Sequence, residues 1–197
     1  MSGITSLSAI ESAAQALRLA RTGMTPTDRI SDAFGISGLE QAYAVSAINM
    51  RADVAQGRKI VGKKVGLTSK AVQQQLGVDR PDYGVLFADM EYVDGDTLPM
   101  SRLMQPKAEG EVAFIVGRDL TQVDLSWSQF LLGIEYALPA LEIVDSAIKD
   151  WKITLVDTVA DNASCGLYVL GTEPRRIFDT ISFDTSLGAA APGGSLK

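Results

Sequence analysis

The clearest strand pattern in this sequence is Pro106-Lys107-Ala108-Glu109-Gly110-Glu111-Val112-Ala113-Phe114-Ile115-Val116. Successive side chains of a strand point to opposite faces, so Glu109 and Glu111 share one face with Lys107. Two carboxylates this close repel each other, and a cation between them relieves the repulsion. Gly110 leaves the opposite face open to a close neighbour. The pattern leaves two interpretations open: the exposed face of an edge strand, or two ligands of a hard divalent metal ion.

The composition limits the class of protein. The chain has 197 residues, of which 46% are hydrophobic, and this fits one sizeable domain or one domain with a small helical annex. A net charge of −6 without a Lys/Arg cluster argues against nucleic acid and anionic membranes as partners. A single cysteine, Cys165, excludes an internal disulfide and predicts a reducing cytoplasm. We find no signal-peptide pattern and no apolar run of membrane-spanning length.

The sequence contains no histidine, and this excludes more chemistry than any other feature. Ser-His-Asp and Cys-His nucleophilic sites, His-ligated zinc and His general bases are all ruled out. Acid-base or metal chemistry must therefore use Asp, Glu, Lys, Tyr, Ser and water. The GxGxxG, Walker-type and CxxC motifs are absent as well.

Residues 1–57 are predicted to form a helical portion. Apolar residues recur with helical spacing over residues 6–22 and from Ser37 to a stop at Gly57, and residues 28–34 suggest a short helical turn. So few helices would be only marginally stable on their own, so we expect them to pack on the later part of the chain or on a neighbouring subunit.

Residues 58–197 are predicted to form a β-rich core. Lys64 lies between Gly62 and Gly66 on one face of the strand Ile60–Gly66, which suggests the close approach of a small ligand, or else a solvated lysine. Residues 80–84 are predicted to form a turn, in which Asp82 is an ordinary turn former.

The second half of the chain supplies a third candidate carboxylate. Glu142 interrupts the apolar strand Leu141–Val144, and a carboxylate in such a run is uncommon unless it is paired or bound to a metal. Before it, a helix is predicted from Ser126 to about Tyr136, with Pro139 ending it. After it, residues 157–166 are predicted to form a polar loop that contains Cys165 as an inert, packed thiol.

Several motifs resemble the 2-keto-4-pentenoate hydratases, a family of the fumarylacetoacetate hydrolase superfamily. They are Val61–Thr68, Gln73–Val78, Pro81–Asp89, Glu109–Glu111, Pro139–Ser146 and Val156–Gly166. The resemblance covers roughly residues 5 to 172 and implies an α+β fold: a β-rich core with an N-terminal helical portion. It also implies a homo-oligomer and an Mg²⁺ or Mn²⁺ cofactor.

The resemblance implies a lyase of aromatic catabolism. Its reaction would be the addition of water to 2-hydroxypenta-2,4-dienoate, which gives 4-hydroxy-2-oxopentanoate, and other enzymes of the same pathway are candidate partners. Carried over by position, the metal ligands would be Glu109, Glu111 and Glu142. The polar active-site residues would be Lys64, Asp82 and Ser164, with Asn162 beside them. We assign proton transfer to Asp82 and Lys64, and the orientation of substrate or water to Ser164 and Asn162.

Two alternatives remain. The sister 4-oxalocrotonate decarboxylases share the metal motif but tend to lack the aspartate of Pro81–Gly84, so Asp82 favours hydration. The chain also departs from the family. It carries Ala147 where relatives usually have arginine, and after about residue 177 it resembles the family's extreme C-terminus joined on early. A non-catalytic, shortened relative is therefore the second alternative.

Overall fold

The computed structural model describes residues 7–76 and 78–177. Its helices are α1 (Leu7–Thr22), α2 (Ile30–Phe34), α3 (Gly38–Ala55), α4 (Lys70–Leu76), α5 (Trp127–Leu131) and α6 (Leu155–Ala160). Its strands are β1 (Ile60–Gly66), β2 (Asp82–Phe87), β3 (Glu91–Val93), β4 (Lys107–Val116), β5 (Ile134–Val144), β6 (Cys165–Leu170) and β7 (Arg175–Arg176). The α+β class with N-terminal helices is therefore confirmed.

The strands form two sheets. Strands β1 and β2 pair antiparallel, with Lys64 opposite Gly84 and Gly66 opposite Asp82. The larger sheet has the order β3-β6-β5-β4, in which β3 is parallel and β5 antiparallel to β6. Strand β4, which carries two of the candidate ligands, therefore lies beside β5, which carries the third.

Contacts divide the chain into two units. The first consists of the residues up to Glu111 together with Ala140–Leu170, and the second of Val112–Pro139 together with the residues from Gly171. Every candidate site residue belongs to the first unit. The division that the sequence suggests after residue 57 stays a prediction.

The first unit has a helical core. Leu17 of α1, Ile30 of α2 and Val45 of α3 are fully buried, in one cluster with Ile148 and with Val159 of α6. Each such side chain stabilises the fold by about 1.5–3 kcal/mol relative to an exposed one. The expectation that the helical portion packs on the later chain is therefore confirmed.

A buried ion-pair network fixes α1 to the ends of β5 and α6. The guanidinium of Arg21 donates to the Asp145 carboxylate at 3.1 Å and to the Asp161 carboxylate at 2.8 Å. Asp145 also accepts hydrogen bonds from the backbone N–H groups of Met104 and Gln105. The network thereby ties Asp161, which directly precedes Asn162, to α1 and to the end of β5.

Three local predictions are wrong. The helix predicted to reach Tyr136 ends at Leu131, because the capping box of Ser126 and Gln129 supports only a short helix and β5 begins at Ile134. Pro139 does not end a helix but lies within β5, where its carbonyl accepts a hydrogen bond from the Gly171 N–H.

The other two errors concern predicted loops. Asp82 begins β2 and does not belong to a turn. Residues 157–160 of the polar loop predicted at 157–166 belong to helix α6, because the Asp157 carboxylate accepts hydrogen bonds from the backbone and hydroxyl of Thr154 at the helix start. Residues 165–166 begin β6. The predicted helix end at Gly77 and the predicted departure after residue 177 lie outside the described residues. None of the described helices is long and apolar enough to cross a membrane.

Candidate active site

Three glutamates converge in the first unit. One carboxylate oxygen from each of Glu109, Glu111 and Glu142 lies within 4.8 Å of the others. Glu109 and Glu111 are exposed on β4, whereas Glu142 on β5 is buried. The sequence prediction that these residues come together is confirmed. The close neighbour expected behind Gly110 is not seen among the described residues, because nothing lies within 4 Å of a Cβ built there.

Lys64 is the internal counter-ion of this cluster. Its Nζ lies 3.1 Å from Oε1 of Glu142, and its side chain is only 13% exposed. Burial opposes the ammonium form most strongly, but the charge and hydrogen bond of Glu142, together with the charges of Cys165 and Asp82, outweigh burial and raise the pKa of Lys64. Burial, with repulsion from Glu109 and Glu111, raises the pKa of Glu142 although Lys64 opposes that shift. The alternative of a solvated Lys64 is therefore wrong.

Asp82 is buried beside β1, where Gly66 makes room for its carboxylate. A Cβ on Gly66 would collide with the Asp82 carboxylate, so the missing side chain makes room for that carboxylate and not for an external ligand. Oδ1 of Asp82 is buried and has no hydrogen-bond partner among the described residues. Burial raises the pKa of Asp82, although the charge of Lys64 opposes the shift. An unpartnered, buried carboxylate oxygen is suited to receive a proton from a bound molecule.

A strained turn positions Ser164. Asn162, Ala163 and Ser164 all have left-handed backbones, with φ of 53°, 53° and 54°. Such a backbone costs about 1–2 kcal/mol for each residue with a side chain, and strain of this kind is concentrated at functional sites. Oγ of Ser164 is buried and has no hydrogen-bond partner among the described residues. Sequence reasoning missed this turn, since none of the three residues is a glycine.

Asn162 and Gly84 hold the turn against β2. The Asn162 amide accepts from the Val85 N–H at 2.7 Å and donates to the Val85 carbonyl at 2.9 Å. A Cβ on Gly84 would collide with the carbonyl of Asn162 and with the sulfur of Cys165. The Asn162 side chain is thus used to fix the backbone. Cys165 is buried, and burial raises its pKa to about 12, so the predicted inert thiol is confirmed.

A cavity of about 350 Å³ in the same unit is lined in part by Asn162 and Cys165, but the three glutamates do not line it. Its wall includes Arg21, Arg58 and Arg102, and each of them is paired with aspartate. Glu109 and Glu111 have no ion-pair partner among the described residues, and they lie instead beside Glu142. We therefore place the candidate active site at the glutamates.

The donor set of the cluster fits a hard divalent ion. All three groups are carboxylates, and the set includes no thiolate or imidazole that would favour a softer metal. A cation there would also relieve the repulsion that acts on buried Glu142.

Comparison with known proteins assigns the family. The chain is 47% identical over 188 residues to the 2-hydroxypent-2,4-dienoate hydratase of Pseudomonas putida, and the match spans 88% of this chain and 84% of that protein. The chain belongs to the 2-keto-4-pentenoate hydratase family. Another member, 2-keto-4-pentenoate hydratase 2 of Dechloromonas aromatica (strain RCB), is 53% identical over 169 residues, which are 86% of this chain. This chain spans only 64% of the length of that hydratase. No family model matches the chain.

Solved structures of a decarboxylase share the fold of this chain. The chain superposes on the 4-oxalocrotonate decarboxylase of Pseudomonas putida G7, complexed with magnesium and adipate, with a TM-score of 0.83 and 28% identity. That match covers 88% of this chain and 66% of the decarboxylase. The same decarboxylase complexed with calcium and acetate gives a TM-score of 0.81. Hard divalent ions are therefore bound by a protein of the same fold.

Proposed function

We propose that this chain is a metal-dependent hydratase that converts 2-hydroxypenta-2,4-dienoate into 4-hydroxy-2-oxopentanoate. The observation that carries the proposal is the convergence of Glu109, Glu111 and Glu142 within 4.8 Å in a chain of the hydratase family. The largely buried Lys64 beside them supplies a positive charge, and Asp82 and Ser164 supply polar atoms without a hydrogen-bond partner among the described residues of the same unit.

Glu109, Glu111 and Glu142 would hold Mg²⁺ or Mn²⁺. When bound, such an ion would polarise the 2-oxygen of the substrate as a Lewis acid. The magnesium and calcium complexes of the decarboxylase of similar fold support an oxygen-ligated ion of this class.

The reaction requires proton transfer at carbon. The dienol loses its hydroxyl proton and gains one at C5, which gives an α,β-unsaturated 2-oxo acid. Water then adds at C4, while C3 takes up a proton. Asp82, as a buried carboxylate of raised pKa, would take and return these protons. The Lys64 ammonium group, which lies beside Glu142, would act as a hydrogen-bond donor to the developing enolate.

Ser164 and Asn162 would orient the reactants in different ways. The Oγ of Ser164, which has no partner among the described residues, can hydrogen-bond the substrate or the attacking water. Asn162 would act by holding the turn that presents Ser164, since its amide is already bonded to the Val85 backbone.

The test is turnover of the dienoate by the purified chain. With Mg²⁺ or Mn²⁺, we expect the near-UV absorbance of the dienol to disappear, and a chelator should abolish the loss. A folded, metal-loaded protein that leaves the band unchanged over hours would favour the non-catalytic alternative.

The decarboxylase is the second candidate, because the solved structures of similar fold have that activity in their names. Release of CO₂ from 2-oxohex-3-enedioate, without hydration of the dienoate, would support it. A homo-oligomer, partner enzymes of the same pathway and a location in the cytoplasm stay predictions.

A further inference from the structure

Lys107 extends the row of charged residues on β4. It precedes Glu109 by two positions, so alternation places the two side chains on one face, about 7 Å apart along the strand. Its Nζ lies 4.0 Å from the centroid of the Trp151 ring. No carboxylate of the described residues comes within the 4.0 Å ion-pairing distance of this ammonium group. Among the described residues, Lys107 thus carries a charge that only an aromatic face partners.

The indole of Trp151 is held rigidly. Its Nε1 donates to the Gln105 carbonyl at 2.9 Å, and the Gln105 side chain accepts from the Asp150 N–H at 2.8 Å. The Gln105 amide also donates to the Ser146 and Ile148 carbonyls. Asp150 and Trp151 both have left-handed backbones, with φ of 56° and 54°. A strained conformation of two successive non-glycine residues persists only where its surroundings enforce it, and such strain is concentrated at functional sites.

The charge of the cluster explains why a further cation is useful there. Three carboxylates and the Lys64 ammonium leave the metal-free cluster negative. A divalent ion brings it to neutrality, so an anionic substrate that binds next finds no excess positive charge. Lys107, on the same face of β4 as Glu109 and Glu111, can supply that charge.

We propose that Lys107 binds the carboxylate of a 2-oxo acid when Glu109, Glu111 and Glu142 hold a divalent metal ion. Without the acid, the ring face of Trp151 holds the ammonium group. A carboxylate pairs with an ammonium group more strongly than an aromatic face does, so the incoming acid can draw Lys107 off the ring. This inference rests on the proposed function, because it takes a 2-oxo acid as the ligand.

Trp151 provides the readout. The chain contains two tryptophans, and Trp127→Phe leaves Trp151 as the only one. Trp127 is 72% exposed and belongs to the second unit, so this change lies outside the site. In the Trp127→Phe protein with Mg²⁺, we expect 2-oxopentanoate to change the Trp151 emission saturably. We expect 2-pentanone, which lacks the carboxylate, to leave the emission unchanged.

Three further variants, each made in the Trp127→Phe protein, test the role of Lys107. Lys107→Met should weaken 2-oxopentanoate binding about tenfold, which corresponds to the loss of one charge-assisted hydrogen bond. Lys107→Arg keeps the charge and should bind within about threefold of the parent, a difference smaller than one such bond. Lys63→Met is the matched control, since the Lys63 Nζ lies 5.0 Å from the Tyr83 ring on the other face of β1 from Lys64.

Measurement of Mn²⁺ binding distinguishes the loss of the Lys107 contact from the loss of the metal site itself. Lys107→Met should bind Mn²⁺ at least as tightly as the parent, because removing a cation cannot weaken a cation site. The inference would be overturned if Lys107→Met and the parent bound 2-oxopentanoate with equal affinity, measured by fluorescence and by calorimetry. It would also be overturned if 2-oxopentanoate caused no saturable emission change in the Mg²⁺-loaded parent. A protein that binds 2-oxopentanoate through Lys107 but never hydrates the dienoate would refute the proposed function alone.

Discussion

The Nζ of Lys64 lies 3.1 Å from Oε1 of Glu142, and both side chains are nearly buried. The carboxylate that would complete a metal site is therefore already paired with a cation of the chain. A divalent ion and the Lys64 ammonium must share Glu142, and their mutual repulsion weakens metal binding. The same ammonium is the donor that the proposed reaction needs.

Lys64→Met should therefore have opposite effects on binding and catalysis. We expect Mn²⁺ affinity to rise about tenfold, since removal of one nearby charge changes such equilibria by at least this factor. Dienoate turnover should fall because the hydrogen-bond donor is lost. Mn²⁺ titration and the absorbance assay measure the two effects. Lys63→Met, on the opposite face of β1, should change neither, and weaker Mn²⁺ binding by Lys64→Met would contradict the shared-carboxylate interpretation.

Two glycines flank Lys64 on the same face of β1 and form a matched pair. A Cβ on Gly66 would collide with the Asp82 carboxylate, whereas among the described residues a Cβ on Gly62 would meet only Leu86 Cδ1 at 3.8 Å, an ordinary contact. Gly66→Ala should therefore displace Asp82 and lower kcat strongly, with a loss of stability of about 1–3 kcal/mol. Gly62→Ala should leave kcat unchanged. If urea unfolding and turnover respond equally to both changes, the placement of Asp82 against Gly66 is wrong.

Arg21 is expected to be the most important single cation for the stability of the first unit. Arg21→Met would leave Asp145 and Asp161 buried and unpaired, so the free energy of unfolding should fall by about 3–5 kcal/mol. Arg18 lies one turn earlier on α1 and donates to the neutral amide of Asn49 at 3.2 Å. Arg18→Met should therefore cost only about 1 kcal/mol. Denaturant titration compares them, and equal losses would contradict the assignment.

The thiol of Cys165 should be unreactive in the folded chain. Its pKa is raised from 9.0 to about 12 by burial, so at pH 9 a thiol reagent should label the unfolded protein and spare the native one. The unfolded thiol ionises near pH 9, whereas the folded thiol stays neutral. Ionisation of the thiol therefore favours the unfolded state. The free energy of unfolding is unaffected by it below pH 9 and falls as the pH rises towards 12.

Cys165→Ala removes the titrating group and serves as the control for that pH dependence. We expect its unfolding free energy to decline less steeply above pH 9 than that of the parent. Rapid labelling of the native parent at pH 9 would show that the thiol is accessible and that burial does not raise its pKa.

The sequence predicts the glutamate cluster well, because its two signals are local. Alternation places Glu109 and Glu111 on one face, and Glu142 is conspicuous inside an apolar run. By contrast, the left-handed turn at Asn162–Ser164 contains no glycine, and its backbone is enforced by Val85 and Asp145, which are distant in sequence. The prediction that Pro139 ends a helix fails for a related reason. Whether a strand such as β5 accepts a proline depends on how that strand is paired, and the residues next to Pro139 in sequence do not determine this.

Mn²⁺ binding, followed by the electron paramagnetic resonance signal of the free ion, tests most directly whether the three glutamates form a metal site. We expect the full chain to bind one Mn²⁺ and Glu111→Gln to bind it at least about tenfold more weakly, since one charged ligand becomes neutral. Glu135→Gln is the control, because Glu135 is exposed on β5 outside the cluster. It should bind as the parent does. Mn²⁺ binding by Glu111→Gln that is as tight as that of the parent would contradict the metal site.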